Sequence, residues 1–197
     1  KVALKKRSRL NAVSPPSLKF LKINLRIIEI VALPDLSHLK DCETLIITMV
    51  CYGNICRSPM AAAVLHNKVK EIDSPKIVVD SAGTSHWHVG QGPNPPSKRT
   101  WEKAGYSFNH IASQFNYSRL VAADLVLVMD DHNHQEVSKY VTSDEEEQKI
   151  FYLRQFDPTN PESLEVPDPY SLPDSAFEEV LVMVEKATDG LIQQLLR

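Results

Sequence analysis

One stretch of the chain decides its fold: Val50-Cys51-Tyr52-Gly53-Asn54-Ile55-Cys56-Arg57-Ser58. An apolar run, residues 45–50, precedes it, and a helix-favouring run, residues 60–65, follows it. The pattern predicts a strand, a tight loop and then a helix that begins at Pro59 after a Ser58 cap. A cysteine therefore lies at the start of a loop that ends at a helix N-terminus.

Three further apolar runs predict the other strands of the same sheet. The predicted strands span residues 44–50, 77–79, 124–129 and 149–153, and the predicted helices span residues 59–70, 97–104, 132–140 and about 174–195. Strands that alternate with helices predict an α/β fold, a three-layer sandwich in which a four-stranded parallel sheet carries helices on both faces. Ligands of such sheets bind at the carboxyl ends of the strands, where residues 51–58 fall.

The chain divides into two parts of opposite charge. Residues 1–40 carry nine Lys and Arg residues against two acids, and residues 41–197 carry thirteen against twenty-three, so the overall −3 combines +7 with −10. The length of 197 residues suits one domain with a tail. We expect residues 1–43 to be a basic N-terminal extension outside the fold and residues 44–197 to form the domain. The extension has three open interpretations: a disordered tail, part of a targeting segment, or sequence upstream of the true start.

All three cysteines, Cys42, Cys51 and Cys56, lie within fifteen positions. An odd number of clustered cysteines is a poor disulfide framework, so the sequence indicates a reducing compartment. We expect a cytoplasmic protein, although targeting through the extension stays open. No apolar run approaches the ~20 residues of a membrane-spanning helix. We further expect a monomer that uses no metal and no cofactor and has no nucleic-acid partner.

The loop after the first strand has the composition of an anion site. Gly53 and Asn54 are the residue types that most readily take a positive φ, so the loop can curl with its N–H groups inward. Inward amides at a helix N-terminus bind phosphate and related oxyanions, and Arg57 adds a planar two-pronged donor. The same positive potential stabilises a thiolate at Cys51. The result would be a nucleophile beneath a bound phosphorus.

Simpler interpretations of these cysteines remain open on spacing alone. Free cysteines are often small buried hydrophobic residues. Cys51 and Cys56 could also form half of a zinc site, but the chain has no second pair, and no Walker-type phosphate loop is present.

Several motifs of the chain, taken together, are specific enough to indicate a family. Residues 51–59 resemble the signature loop of the low-molecular-weight protein tyrosine phosphatases. Residues 80–84, 87–90, 123–130 and 168–170 resemble further landmarks of that family in the same order, and the series is most similar to the bacterial branch. The resemblance implies a phosphotyrosine phosphatase I-like fold. It also implies metal-free hydrolysis of phosphotyrosine, in a protein or in a small aryl phosphate.

The resemblance assigns three catalytic residues. Cys51 would attack phosphorus and form a phosphocysteine, while Asp168 would protonate the leaving oxygen and later activate water. Arg57 would hold the phosphate oxygens. Without the resemblance, Asp168 in its Pro-rich loop would be a turn residue.

The remaining assignments also come from the resemblance. Trp87 and Tyr170 would form the aromatic walls of the substrate pocket, and Ser81 and His110 would support the loop. Cys56 would form a reversible disulfide with Cys51. The phosphate-binding residues besides Arg57 would be Tyr52, Gly53, Asn54, Ile55, Cys56 and Ser58.

Two nearby acidic runs have simpler interpretations. Residues 130–131 are predicted to cap the following helix, and residues 145–147 are predicted to form a solvated loop. Ser171 departs from the family pattern, because many members have a second tyrosine there.

Three other functions remain open. An arsenate reductase shares the scaffold, but the thioredoxin-coupled kind needs two cysteines downstream, and none follows Cys56. A protein-arginine phosphatase would resemble this loop with Thr in place of Ile55. A non-catalytic phosphopeptide-binding module would be indicated by loss of a catalytic residue, and all three are present.

Overall fold

Four parallel strands form the sheet in the described part of the chain, residues 33–159 and 161–197 of a computed structural model. The strands are β1 Thr44–Cys51, β2 Lys76–Gly83, β3 Leu125–Val128 and β4 Ile150–Tyr152, in the spatial order β2-β1-β3-β4. The helices are α1 Arg57–Val69, α2 Pro95–Lys103, α3 Tyr117–Ala122, α4 Asp131–Ser138, α5 Asp144–Glu147 and α6 Asp174–Leu195. The predicted α/β fold with a four-stranded parallel sheet is confirmed.

Alternate residues of the central strands face two separate cores. Ile47 and Met49 of β1 pack in the larger core, to which α1, α2 and α6 contribute. Val50 of β1 and Val126 of β3 pack in the smaller core, with residues of α3 and α4. Because both faces of the sheet are covered, the central strands are mostly apolar, and the predicted three-layer sandwich is confirmed.

Helix α1 begins at Arg57, two residues before the predicted start. Its N-cap position is Cys56, which makes no side-chain capping bond. The predicted Ser58 cap is wrong because the Ser58 hydroxyl lies inside the helix and contacts Cys51 and Asn54 instead.

Two short helices lie where the sequence predicted none. Helix α3 is capped by the Asn116 side chain and buries only Leu120. Helix α5 replaces the predicted solvated loop at residues 145–147, is capped by Ser143 and buries no residue. Helices this short leave too little apolar periodicity to be predicted.

The described part of the predicted extension packs against the domain. A 3-10 turn, Ser37–Leu39, contacts α6, and Leu36 and Leu39 are buried in the larger core. The boundary predicted at residue 44 is therefore too late for residues 36–39. Residues 1–32 are not among the described residues. For them, the prediction that the extension lies outside the fold stays a prediction.

No helix within residues 33–197, apart from the undescribed position 160, is both long and apolar enough to cross a membrane. The longest, α6, has an apolar stripe on one side only: Phe177, Val180, Leu181, Val184, Leu191 and Leu195 are buried. At Gly190 it lies so close to the neighbouring chain that a Cβ there would overlap the Phe156 carbonyl oxygen.

Candidate active site

The loop between β1 and α1 surrounds the sulfur of Cys51. This residue ends β1, at the carboxyl edge of the sheet, and is only 2% exposed. The backbone N–H of Asn54 points at Cys51 Sγ over 3.3 Å, and Ser58 Oγ lies 3.0 Å from the same atom. These contacts would stabilise negative charge on the sulfur, since both groups can donate to it.

Asn54 is the corner of the loop, and its side chain is bonded on every side. It has a φ of 54°, the left-handed conformation for which the sequence suggested Gly53 and Asn54; of these two residues, Asn54 alone adopts it. Its amide Nδ2 donates to Ser58 Oγ at 2.9 Å and to Ser81 Oγ at 3.1 Å. Its Oδ1 accepts from the backbone N–H of Ser113 at 2.8 Å. The surrounding side chains therefore hold a conformation that a non-glycine residue rarely adopts.

His110 braces the same corner. Its Nε2 lies 2.7 Å from the Asn54 carbonyl oxygen, and its Nδ1 lies 3.3 Å from Ser81 Oγ. Because a carbonyl can only accept, Nε2 carries the proton and Nδ1 accepts from the Ser81 hydroxyl. Burial lowers the pKa of His110, against smaller upward contributions from the Asn54 bond and the Asp80 charge. The ring is therefore neutral around pH 7, as this bonding pattern requires.

Arg57 is buried at the floor of the pocket and pairs with two carboxylates. Its Nη1 donates to Asp130 Oδ2 at 2.5 Å and to the Val166 carbonyl at 3.1 Å, and its Nη2 donates to Asp168 Oδ2 at 2.9 Å. Burial alone would lower the pKa of Arg57, but the charges of Cys51, Asp168 and Asp130 outweigh it and raise that pKa. The guanidinium therefore remains a cation.

Several donors around the sulfur have no protein acceptor. Within the described residues, Arg57 Nε is buried without a hydrogen-bond partner, and the backbone amides of Gly53, Ile55 and Cys56 donate to no protein atom. Buried donors in native proteins almost always have a partner. A tetrahedral oxyanion above Cys51 would supply acceptors for this set.

A pocket of about 410 Å³ opens above the loop. Trp87 and Tyr170 line it together with the loop, Asp168 and His88. Trp87 is 68% exposed and meets the ring of Tyr52 edge-on, with centroids 6.2 Å apart. The structure thus places both predicted aromatic walls at one opening. Ser171 and Leu172 do not line this pocket, and both are exposed.

Cys56 lies beside the nucleophile candidate but is buried, 4% exposed. Burial, with further contributions from Cys51 and Asp168, raises the pKa of the Cys56 thiol well above its usual range. All described cysteines are unbonded thiols. The Cys56 carbonyl accepts from Ser97 Oγ at 2.9 Å, which ties the start of α2 to the loop.

The sequence did not predict three of the residues around the pocket. Asp130 caps α4 as predicted, but its second oxygen also pairs with Arg57. His88 lines the pocket 6.2 Å from the ring of Tyr170, and His132 lies 5.7 Å from the ring of Tyr52. The only sequence signal for His88 was its position beside Trp87. The sequence indicated Asp130 as a helix cap but not as a partner of Arg57.

A thiol surrounded by loop donors, with an arginine and a carboxylic acid in one pocket, defines a class of cysteine-dependent enzymes that act on phosphate esters. Comparison with known proteins makes the class specific. A sequence profile described as "Low molecular weight phosphotyrosine protein phosphatase" matches residues 46–197. The chain belongs to this family.

Individual relatives agree with this assignment. A low molecular weight protein-tyrosine-phosphatase of Streptomyces coelicolor is 38% identical over 148 residues, 74% of this chain and 90% of that protein. A protein tyrosine phosphatase structure from Entamoeba histolytica superposes with a TM-score of 0.71 at 32% identity, covering 77% of this chain and 96% of that one. The YwlE arginine phosphatase structure from Geobacillus stearothermophilus gives 0.65 at 29% identity, with 77% and 92% coverage.

Proposed function

We propose that this chain is a protein-tyrosine phosphatase that hydrolyses phosphotyrosine and other aryl phosphate monoesters through a phosphocysteine intermediate. One observation carries the proposal: the Cys51 sulfur lies beneath unpartnered donors in the pocket that also contains Arg57 and Asp168. Family membership supports the same reaction.

In the first step, the Cys51 thiolate attacks phosphorus and forms an S–P bond. The bond from phosphorus to the phenol oxygen breaks, and the protonated Asp168 gives its proton to that oxygen. Arg57 and the loop amides hold the three non-reacting oxygens as charge shifts among them. Phenol leaves, and the phosphoryl group remains on Cys51.

In the second step, water attacks the phosphocysteine and gives a proton to Asp168. The S–P bond breaks, the sulfur leaves as a thiolate and inorganic phosphate forms. The Ser58 hydroxyl, 3.0 Å from the sulfur, would donate to the departing thiolate. Its position is fixed because it also accepts from Asn54.

The pocket walls favour an aromatic leaving group. A phenyl ring between Trp87 and Tyr170 would gain apolar and edge-to-face contacts that an aliphatic phosphoserine cannot make. Phosphoarginine is the nearest competitor, because an arginine phosphatase has the same fold. Ile55 lines this pocket, and its apolar side chain would favour an aryl group over the polar guanidino group of phosphoarginine. The free thiol suits a reducing compartment, and we propose a cytoplasmic monomer.

Hydrolysis of p-nitrophenyl phosphate in the presence of EDTA tests the mechanism. We expect Cys51→Ser to abolish turnover and Asp168→Asn to slow it. The Asp168→Asn loss should be larger with phenyl phosphate, because the more basic phenol depends more on protonation as it leaves. Asp174→Asn, an exposed acid paired with Arg99, is the matched control and should be unaffected. Turnover that survives Cys51→Ser, or that requires a divalent metal, would overturn the mechanism.

A second experiment tests the substrate class. Peptides carrying phosphotyrosine, phosphoserine or phosphoarginine are compared by kcat/KM under identical conditions. We expect phosphotyrosine to be preferred clearly over both others. Preference for phosphoarginine would reassign the chain to arginine phosphatases, with the same nucleophile.

A further inference from the structure

A charged cluster outside the pocket connects helix α3 with the phosphate loop. Arg119 of α3 donates through Nη1 to Asp80 of β2 and through Nη2 to Ser113 Oγ, at 2.9 Å for the latter. Arg119 and Asp80 are both partly buried, with side chains 28% and 39% exposed. One guanidinium therefore holds two separate segments of the chain together.

Ser113 connects Arg119 to Asn54, the corner of the phosphate loop. Its hydroxyl donates to the Ser81 carbonyl at 3.2 Å, and its backbone N–H donates to Asn54 Oδ1 at 2.8 Å. Its own carbonyl accepts from the Gly83 N–H at 2.8 Å. Ser113 is thus fixed at three points, and the Asn54 side chain depends on where Ser113 lies.

The same cluster affects the pKa of His110. Asp80 is the charged group whose field raises the pKa of His110, in opposition to the lowering by burial. His66 of α1 is a further titratable side chain of this region, because its ring and the ring of His110 both lie against the ring of Phe108. Because Arg119 pairs with Asp80, it cancels part of the Asp80 field. A neutral His110 is what the bonds to Asn54 and Ser81 require.

We propose that Arg119 is a positioning residue of the phosphate loop, which it supports through Ser113 and Asp80 without touching the substrate. The inference rests on the proposed function only in that the loop binds the phosphate group. Without the guanidinium, Ser113 loses one of four hydrogen bonds, so Ser113 and the left-handed corner at Asn54 are held less firmly. The amides that curl around Cys51 then point less well at a bound anion.

Binding of inorganic phosphate to the full chain, measured by calorimetry, is the direct test. We expect Arg119→Ala to raise the phosphate Kd about two- to thirtyfold, the range of coupling through a packed network. In the p-nitrophenyl phosphate assay the same variant should lower kcat/KM mainly through KM. Arg119→Lys should recover part of the affinity, since an ammonium can pair with Asp80 but lacks the second prong for Ser113. The matched control is Arg99→Ala, which removes an exposed arginine paired with Asp174 and should leave Kd unchanged.

Titration of His110 by NMR separates positioning from a general loss of structure. Arg119→Ala exposes His110 to the full field of Asp80, so the His110 pKa should rise relative to the wild type. Arg119→Lys should restore it, and Arg99→Ala should not move it. A folded Arg119→Ala protein with wild-type phosphate affinity and an unmoved His110 titration would overturn the proposal.

Ser113→Ala keeps the test open if Arg119→Ala does not fold. This variant retains the backbone N–H that bonds Asn54 but removes the oxygen to which Arg119 donates. It should weaken phosphate binding in the same direction, and unchanged affinity would count against the proposal. A wild-type protein that binds phosphate but hydrolyses no aryl phosphate would contradict the proposed function while leaving this inference standing.

Discussion

Asp130 uses its two carboxylate oxygens for different partners. Oδ1 accepts from the Asn133 N–H at 2.7 Å and caps α4, and Oδ2 accepts from Arg57 at 2.5 Å. The cap is local and was predicted from sequence. The pair with Arg57 joins residues 73 positions apart, so only the folded chain reveals it.

Neutralising Asp130 should impair the enzyme while keeping the fold. Asparagine caps a helix as well as aspartate does, so Asp130→Asn should retain α4. The substitution removes the negative charge that pairs with Arg57 Nη1. The guanidinium would then pair with Asp168 alone and would be less well aligned for the phosphate oxygens. We expect kcat/KM for p-nitrophenyl phosphate to fall about 10- to 100-fold. Circular dichroism should show an intact fold, and wild-type kcat/KM would contradict the role given to this pair.

Cys56 should resist alkylation although it lies next to the proposed nucleophile. Its raised pKa keeps the thiol protonated at pH 8, and only the thiolate reacts with iodoacetamide. In a Cys51→Ser variant we therefore expect mass spectrometry to find Cys56 unmodified in the native protein and modified in urea. Cys42, which is half-buried, is the internal reference. Rapid labelling of Cys56 in the native protein would contradict this prediction, because it would show that the thiol is accessible and ionised.

Among the elements, the strands followed from sequence better than the helices. The strands β1, β3 and β4 are mostly apolar runs because both faces of the sheet are covered there, so the run itself is the signal. The polar residues Asp80 and Ser81 hid the second half of β2, which spans Lys76–Gly83 instead of the predicted 77–79. Helix α3 gave no such signal, although it carries Arg119. The start of α1 was misplaced because Ser58 has the composition of a cap but bonds the Cys51 sulfur instead.

The end of β2 limits how the loop can lie. A Cβ on Gly83 would be 2.8 Å from the Tyr52 carbonyl oxygen and 3.1 Å from the Asn54 backbone nitrogen. Gly83→Ala should therefore push the loop outward and lower kcat/KM about tenfold or more, with a smaller effect on thermal stability.

Gly92→Ala is the matched control for this change. Nothing lies within 4 Å of a Cβ at Gly92, so kcat/KM and the melting temperature should stay close to wild type. If Gly83→Ala were as active as the control, the close contact at β2 would not constrain the loop.

Over the whole molecule, the packed structure begins before the phosphatase profile does. Leu36 is 1% exposed and joins the larger core beside α6, although the profile starts at residue 46. Leu36→Ala should lower the free energy of unfolding by about 2–5 kcal/mol, as for other buried leucines. His38→Ala, at an exposed position of the same turn, should change it by less than about 0.5 kcal/mol. Urea denaturation measures both, and equal stabilities would show that residues 36–39 do not stabilise the domain.

The part of the candidate site whose residues are consecutive could be predicted from the sequence. The part whose residues are far apart along the chain could not be predicted from local pattern. Residues 51–58 form one loop, so their sequence alone predicted an anion site. Asp168, Trp87 and Tyr170 came from the family resemblance, because a turn aspartate and exposed aromatic residues have no distinctive local pattern. Contacts such as Arg119 with Asp80 depend on how α3 packs beside β2, and no periodicity encodes that.

The two carboxylates on Arg57 bear on how quickly the site can turn over. A cation this deeply buried is costly to leave without a counterion, so an enzyme that relied on phosphate alone would hold its product tightly. Asp130 and Asp168 supply the countercharge from within the chain. Once Asp168 has released to solvent the proton that it took from water, its carboxylate can pair with Arg57 Nη2 as phosphate departs, so that one anion replaces another. The residue that finishes the chemistry can thereby also speed product release.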